Sequence, residues 1–239
     1  MSGWAARRFW QEVTVEPVEG GWSVRLDARL LRTPAKAPLV VPTPALAEAL
    51  AAEWRAVEGT VDPRLMPVTR GVNAAIDKVV PQRAEVAALI AEYGGTDLLC
   101  YRAEAPAELV ARQAAGWDPM LRWAAETHGV VLRVTRGIAP VQQPRDSLER
   151  LRAKVDAVGP FELAALHDLV ALSGSLILGL AATDQHFSPD ALWQLSRIDE
   201  NWQAELWGED SEAAIAAANK RRDFLAAHNF WKLLHPVSP

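Results

Sequence analysis

The chain of 239 residues is long enough to bury a substantial hydrophobic core, as one large domain or two small ones. Half of its residues are hydrophobic and 23% are charged, a balance that excludes an intrinsically disordered protein. The formal net charge of −5, with no basic patch to offset it, argues against a nucleic-acid-binding protein. Cys100 is the only cysteine, which excludes an internal disulfide and a cysteine-based metal cluster.

The first forty residues have the patterns of short β-strands. Residues 22–26 alternate apolar and polar side chains, as in a half-buried strand, and residues 13–15 show a shorter version of the same period. Gly20-Gly21 predicts the turn between them, and the segment 27–29 predicts the tip of a second hairpin. The apolar run 39–41 predicts a further strand. The N-terminal part of the chain is therefore expected to be rich in β-structure.

Helical patterns replace the strands after this point. Thr43 as an N-cap, followed by Pro44 at the first helical position, predicts a helix over residues 44–58. Further helices are predicted over about 65–79, 81–93, 106–127, 146–158, 162–184, 189–207 and 211–228. Residues 130–134 form the one later strand candidate, which either pairs with the N-terminal sheet or stands alone as an extended segment.

Strands first and helices afterwards predict an α+β fold rather than alternating βαβ units. We expect a small β-rich N-terminal domain with one helix over residues 1–63. A larger all-helical C-terminal domain, with the short extended segment near 130–135, is expected over residues 64–239.

The most hydrophobic segment, residues 163–183, predicts a buried helix of a bundle rather than a membrane span. His167 and Asp168 leave only a short uncharged stretch after them. Small residues recur at every fourth position, which would let another helix approach closely; they are Ala171, Ser175, Gly179 and Thr183. No stable membrane insertion is expected.

Residues 198–210 mix tryptophans and carboxylates where an ordinary amphipathic helix separates them. On one continuous helix, read at about 100° per residue, Asp199 shares an apolar face with Trp202, and Gln203 lies beside it. A carboxylate in such a position is unfavourable unless it has a partner. Hydrogen bonding to another helix of this protein and contact with a partner protein both remain open for Asp199 and Gln203.

Other residues of this run are expected at the protein surface. Glu200 is expected at the rim of the apolar face, and Glu209 is expected among the acids that begin the next helix. Tryptophan is enriched at protein interfaces, so Trp202 and Trp207 are candidates for one. The predicted partner-binding residues are Asp199, Glu200, Trp202, Gln203, Trp207 and Glu209.

Catalytic templates fit the sequence poorly. Gly94-Gly95 lacks the third glycine and the lysine of a phosphate-binding loop, and the five histidines form no zinc motif. His167 and Asp168 are adjacent on a predicted helix, where side chains point about 100° apart, so they are not expected to pair as base and orienting group. The enzyme alternative is a small-molecule enzyme with an interdomain cleft, using Asp199, Glu200 or His167 as acid or base. No cofactor or metal is expected.

Several motifs, taken in order, resemble those of one family. They are Arg8-Phe9-Trp10, Val24-x-Leu26-Asp27-x-Arg29, Glu53-Trp54, Met66-Pro67-Val68-Thr69, Ala75-Ile76-Asp77, residues 93–102, Trp117-Asp118-Pro119, Leu172-Ser173-Gly174-Ser175-Leu176 and residues 199–210. Together they resemble the assembly chaperones of the ATP-synthase F-one head that hold the free alpha subunit. The resemblance covers nearly the whole chain, with Ala28 standing where the family usually has glycine.

That resemblance implies a non-enzymatic protein. It would bind newly made alpha subunit and shield its subunit interface until the beta subunit replaces the chaperone. It also implies no cofactor, and we expect a monomer when the protein is free. Mitochondrial relatives, located in the matrix, carry an import presequence, whereas this sequence starts almost directly at the family core. A bacterial cytoplasmic location is therefore expected.

Overall fold

The computed structural model describes residues 7–184 and 186–236 and confirms the predicted α+β class. The strands are β1 (Val13–Val18), β2 (Gly21–Leu26), β3 (Arg29–Leu30), β4 (Tyr101–Arg102) and β5 (Thr135–Arg136). The helices are α1 (Pro44–Arg55), α2 (Pro67–Ala74), α3 (Arg83–Glu92), α4 (Ala107–His128), α5 (Arg145–Asp156), α6 (Pro160–Ser173), α7 (Leu176–Ala182), α8 (Pro189–Leu195), α9 (Ile198–Trp207) and α10 (Ser211–Leu234). The last helix extends beyond residue 228, where the sequence pattern predicted its end.

The N-terminal sheet is antiparallel, with strand order β1-β2-β3 and Val13 opposite Leu26. The predicted hairpin tip lies between β2 and β3, where Asp27 has a φ of 52°. Its Oδ1 accepts hydrogen bonds from the backbone N–H groups of Gln11 and Glu12, at 3.0 and 2.8 Å. A short acidic side chain tolerates the left-handed conformation because it can bond locally in this way.

The prediction of a strand over residues 39–41 is wrong, because this segment forms only an isolated bridge. Val41 lies opposite Trp22, and the two exchange backbone hydrogen bonds of 2.9 and 2.8 Å. Pro38 and Pro42 flank the segment and lack the N–H groups that a longer ladder needs. Gly21 is required beside this bridge, since a Cβ there would lie 2.3 Å from the carbonyl oxygen of Val41.

The chain divides into two compact units. Among the described residues, the first contains 7–83, Pro160–Ala165 and 229–236. The second contains Ala84–Gly159 and Leu166–His228. The unit that holds the N-terminal sheet thus extends past residue 63, where the sequence predicts a domain boundary.

Helix α1 packs its buried face into the core of the first unit. Thr43 is its N-cap as predicted, with Oγ1 accepting from the N–H of Leu46 at 3.2 Å. Glu53, near the end of α1, accepts 2.7 Å hydrogen bonds from the N–H groups of Val68 and Thr69, which begin α2. Burial raises the pKa of the Glu53 carboxyl. The unit is therefore held by polar helix-end contacts as well as by apolar packing.

The strand predicted over residues 130–134 does not pair with the N-terminal sheet, and none of these residues belongs to a strand ladder. They lead directly into β5, which pairs in parallel with β4 in the second unit. Arg102 of β4 is buried, with its guanidinium 5.2 Å from the ring of Trp117 and 2.9 Å from Asp118 Oδ1. A long-range strand pair therefore accompanies the helices of this unit.

The single helix predicted over residues 162–184 is two helices. Gly174 ends α6 with a φ of +74°, and Ser175 then caps α7 by accepting from the N–H of Leu178 at 3.0 Å. A Cβ at Gly179 would lie 2.4 Å from Val170 Cγ2, so this one residue of the predicted small-residue stripe lets α7 approach α6 closely. Among the described residues, no helix combines the length and apolar character needed to cross a membrane.

Candidate partner-binding surface

The acidic, tryptophan-rich run does not lie on one continuous helix. The helix predicted over 189–207 breaks after Leu195, and α9 begins at Ile198. Ser196 is buried and its hydroxyl donates to the carbonyl of Trp193 at 2.7 Å, while Arg197 leaves helical geometry with φ −116° and ψ 14°. The angular positions predicted for a continuous helix therefore do not apply across this break.

Asp199 is half-buried and bonded to α4. Its Oδ1 accepts from Gln113 Nε2 at 2.6 Å, and Gln113 is itself buried. The Oε1 of Gln113 accepts in turn from the backbone N–H of Ala103 at 2.8 Å. Asp199 thus makes the hydrogen bond between helices that was one of its two expected alternatives, and its contact with a partner protein stays a prediction.

Arg112 makes a second link between α4 and α9. Its guanidinium lies 4.9 Å from the ring centre of the half-buried Trp202, and its Nη1 lies 2.7 Å from Glu205 Oε1. The hydrogen bond from Arg112 lowers the pKa of the Glu205 carboxyl. Neither Arg112 nor Gln113 was singled out from the sequence, because a helical pattern does not reveal which distant helix its polar residues meet.

Glu200 and Gln203 lie on the exposed side of α9. The placement predicted for Gln203, on the packing face beside Asp199, is wrong, since its side chain is exposed. Glu200 is 56% exposed and its Oε1 lies 2.9 Å from Arg197 Nη1, one turn earlier. The Arg197 guanidinium in turn lies 5.1 Å from the ring of Trp193.

The junction between α9 and α10 exposes large apolar side chains among carboxylates. Trp207 is 79% exposed, and Leu206 and Ile215 are 55% and 64% exposed. Glu209 and Asp210 follow at the junction, both exposed. We refer to these five residues as the α9–α10 corner.

The backbone geometry of this corner explains its shape. Gly208 ends α9 with a φ of +88°. Asp210 Oδ1 then accepts from the N–H groups of Glu212 and Ala213 at 2.8 and 3.0 Å and so caps α10. The sequence predicts acids at this helix start, where they complement the helix dipole. In the described part of the chain, no ring contact or hydrogen bond engages the Trp207 side chain. Its indole is therefore presented to solvent on a well-capped helix junction.

The three residues that the enzyme alternative would use as acid or base are each bonded to a different neighbour. Asp199 bonds Gln113 and Glu200 pairs with Arg197, whereas His167 Nδ1 lies 3.0 Å from Asp168 Oδ1. The prediction that His167 and Asp168 could not pair is therefore wrong. Their hydrogen bond raises the pKa of the His167 imidazole.

His167 borders a hollow of about 330 Å³. Its other lining residues are Leu89, Ile90, Glu92, Tyr93 and Thr96. Because neither Asp199 nor Glu200 lines it, the hollow does not assemble the proposed acid and base. Among the described residues, no group of three or more histidine, cysteine or acidic side chains is placed to hold a metal ion.

Fold and surface together define a two-unit α+β protein that exposes large apolar side chains among carboxylates at the α9–α10 corner. Residues 7–125 match the family described as ATP12 chaperone protein. The crystal structure of Atp12 from Paracoccus denitrificans is 52% identical with a TM-score of 0.94, over 96% of this chain and 98% of that one.

Two further relatives agree with this match. The crystal structure of the Atu1473 protein from Agrobacterium tumefaciens is 42% identical with a TM-score of 0.92, over 95% of this chain and 86% of that one. Protein atp12, mitochondrial, of Schizosaccharomyces pombe is 26% identical over an alignment of 219 residues that covers 87% of this chain and 75% of that protein. The chain belongs to the ATP12 chaperone family, which is involved in ATP-synthase assembly.

Proposed function

We propose that this protein binds the unassembled alpha subunit of the ATP-synthase F-one head and shields its subunit interface until the beta subunit replaces it. The observation that carries the proposal is the α9–α10 corner, where Trp207 is 79% exposed beside two further exposed apolar side chains. Grouped exposed apolar side chains of this kind are typical of protein-binding surfaces. Tryptophan is also among the residues that most often dominate binding energy.

The chemistry of the corner suits a reversible chaperone. An orphan subunit of a ring exposes apolar surface that promotes aggregation, so it needs a temporary cover. The cover must also be displaced, which favours a contact with a small apolar centre and a charged rim over a wholly apolar one. Trp207 supplies the centre, and Glu200, Gln203 and Glu209 supply exposed polar groups around it.

Asp199 and Trp202 have an indirect role in this proposal. Asp199 bonds Gln113, and Trp202 lies against the guanidinium of Arg112. Both therefore hold α9 on α4, and they present the contact residues rather than touching the client. We also propose that the free protein is a monomer and that it is located in the bacterial cytoplasm. Sedimentation at a mass above the 26.1 kDa of one chain would contradict the monomer.

Capture of alpha subunit from cells that lack beta subunit tests the main proposal. The wild-type chain is expected to co-purify with alpha subunit in a one-to-one complex, and Trp207→Ala is expected to weaken capture at least tenfold, or about 1.4 kcal/mol. Leu65→Ala is the matched control, because Leu65 is 77% exposed but lies in the other unit. Failure of the wild-type chain to recover alpha subunit would contradict the proposal.

Charge reversal at the rim gives a second test. Glu200→Lys should weaken capture with a loss of stability of only about 1 kcal/mol, because the Glu200 side chain is 56% exposed, although that of its partner Arg197 is 17% exposed. A loss of thermal stability as large as that of a core truncation would instead make Glu200 a structural residue.

A further inference from the structure

Residues 131–136 form an extended segment that is hydrogen-bonded along one edge. Ser147 Oγ accepts from the N–H of Val131 at 3.0 Å and donates to its carbonyl at 2.9 Å. The Gln143 side chain does the same for Arg133, with Oε1 accepting at 2.7 Å and Nε2 donating at 2.9 Å. The segment then continues into β5, which pairs with β4. Side chains and a strand thus complete one edge of the segment like a β-ladder.

The opposite edge of the segment is open. Because alternate residues of an extended chain direct their backbone groups to opposite sides, Leu132 and Val134 face away from Ser147 and Gln143. In the described part of the chain, no group hydrogen-bonds the backbone N–H or C=O of Leu132 or Val134. Val134 is 47% exposed. Unpaired strand groups of this kind are a template for another strand.

The side chains around this edge favour one kind of occupant. Arg133 and Arg136 are exposed, and neither lies within ion-pair distance of a carboxylate among the described residues. Arg133 Nη1 donates to the carbonyl of Gln142 at 3.2 Å, beside the paired edge, so Arg136 is the cation assigned to the open one. Val131 and Ile138 add apolar area, at 61% and 97% exposure. Arg136, on a protein of net charge −5, would repel the same edge of a second copy and attract acidic side chains.

We propose that the Leu132–Val134 edge accepts an extended, acidic segment of the client subunit as an added β-strand. This inference rests on the proposed capture of alpha subunit and names a second contact for it. Main-chain hydrogen bonds to Leu132 and Val134 supply affinity, and carboxylates of the client meet Arg136. Binding of this kind is tolerant of client sequence, since most of its hydrogen bonds are made by backbone groups.

Amide hydrogen exchange in the one-to-one complex with alpha subunit tests the inference directly. In the free protein, the amides of Leu132 and Val134 should exchange rapidly, whereas those of Val131 and Arg133 should be slowed by Ser147 and Gln143. In the complex, Leu132 and Val134 should become protected. A complex that leaves these two amides rapidly exchanging overturns this inference and leaves the proposed function intact. Absence of any complex overturns both.

A pair of variants tests the same edge through affinity. Val134→Pro removes a backbone N–H that bonds nothing in the free chain, and it requires Arg133 to be extended, which it already is. It should weaken capture of alpha subunit roughly tenfold. Val134→Ala retains the N–H and should capture alpha subunit as well as the wild-type chain does. Equal capture by the proline and alanine variants overturns the inference.

Discussion

Asp97 Oδ1 accepts a hydrogen bond from Ser175 Oγ, 2.7 Å away, in the buried interior of the second unit. The same carboxylate accepts from the N–H groups of Leu99 and Ile177, each at 3.0 Å. Ser175 meanwhile accepts from the N–H of Leu178 and so caps α7. Asp97 and Ser175, which are far apart in sequence, therefore provide hydrogen-bond acceptors for backbone N–H groups both in the turn after Asp97 and at the start of α7.

Ser175→Ala should be markedly destabilising. It removes the cap of α7 and one donor to a buried carboxylate, so we expect a loss of about 2 kcal/mol in the free energy of unfolding, measured by denaturant titration. Ser173→Ala is the control, because Ser173 is equally buried and its hydroxyl donates to the carbonyl of Leu169 in its own helix. This hydroxyl also accepts from the N–H of Ser175 at 3.3 Å, but among the described residues no hydrogen bond joins it to Asp97. Equal losses for the two variants would show that the bond to Asp97 contributes little.

The stability contributed by Asp97 should depend on pH. Burial raises its pKa from 3.8 to about 6, even though hydrogen bonds from Ser175 and from backbone N–H groups act to lower it. The folded chain therefore holds this proton more tightly than the unfolded chain does, and the stabilisation is present below pH 4 and is lost as the pH rises through about 6.

Comparison with Asp97→Asn isolates this effect. The wild-type advantage in free energy of unfolding should shrink by about 2 kcal/mol between pH 4 and pH 7. Denaturant unfolding of both proteins at several pH values measures it. An advantage that is constant, or that grows with pH, would mean that the hydrogen bonds outweigh burial.

The break at residue 174 shows where sequence reasoning was incomplete. In Ser173-Gly174-Ser175, the glycine is typical of the end of a helix and the following serine of an N-cap, so together they indicate the end of one helix and the start of another. The continuous apolar character of residues 163–183 favoured one helix instead. The break at Ser196 has no comparable signal, since neither glycine nor proline lies there. Fold class and the Thr43 cap, by contrast, follow from local patterns.

Gly179→Ala tests the close approach of α7 to α6. A Cβ at this position would lie 2.4 Å from Val170 Cγ2 and 3.4 Å from the Val170 backbone. We expect a loss of about 1–3 kcal/mol in the free energy of unfolding, because the helices must separate. At Gly95, nothing lies within 4 Å of the position that a Cβ would occupy, so Gly95→Ala should change stability little. A neutral Gly179→Ala would contradict tight packing here.

The candidate site was only partly predictable from the sequence. The acids and tryptophans of residues 198–210 stand out because their types conflict with a simple amphipathic pattern. Their partners Gln113 and Arg112 lie far away in the chain, and nothing local to α4 marks them as contacts of α9. The sequence also does not show that the two tryptophans differ in exposure, Trp202 being half-buried and Trp207 exposed.

A double-mutant cycle on Asp199 and Gln113 can decide whether Asp199 is structural. Each single alanine substitution leaves the other polar group without its 2.6 Å partner, so each should reduce the free energy of unfolding by about 1–3 kcal/mol. The double variant should lose less than the sum of the two, with a coupling energy of about 1 kcal/mol. Denaturant unfolding of the four proteins gives the coupling.

The same four proteins separate positioning from direct contact in client capture. If Asp199 acts by holding α9 on α4, Gln113→Ala should weaken capture of alpha subunit about as much as Asp199→Ala does, although Gln113 is buried. Combining the two substitutions should then weaken capture little further, since either one alone already releases the helix. If Asp199 touches the client, Asp199→Ala should weaken capture far more than Gln113→Ala at equal stability. That result would make Asp199 a contact residue and overturn its positioning role.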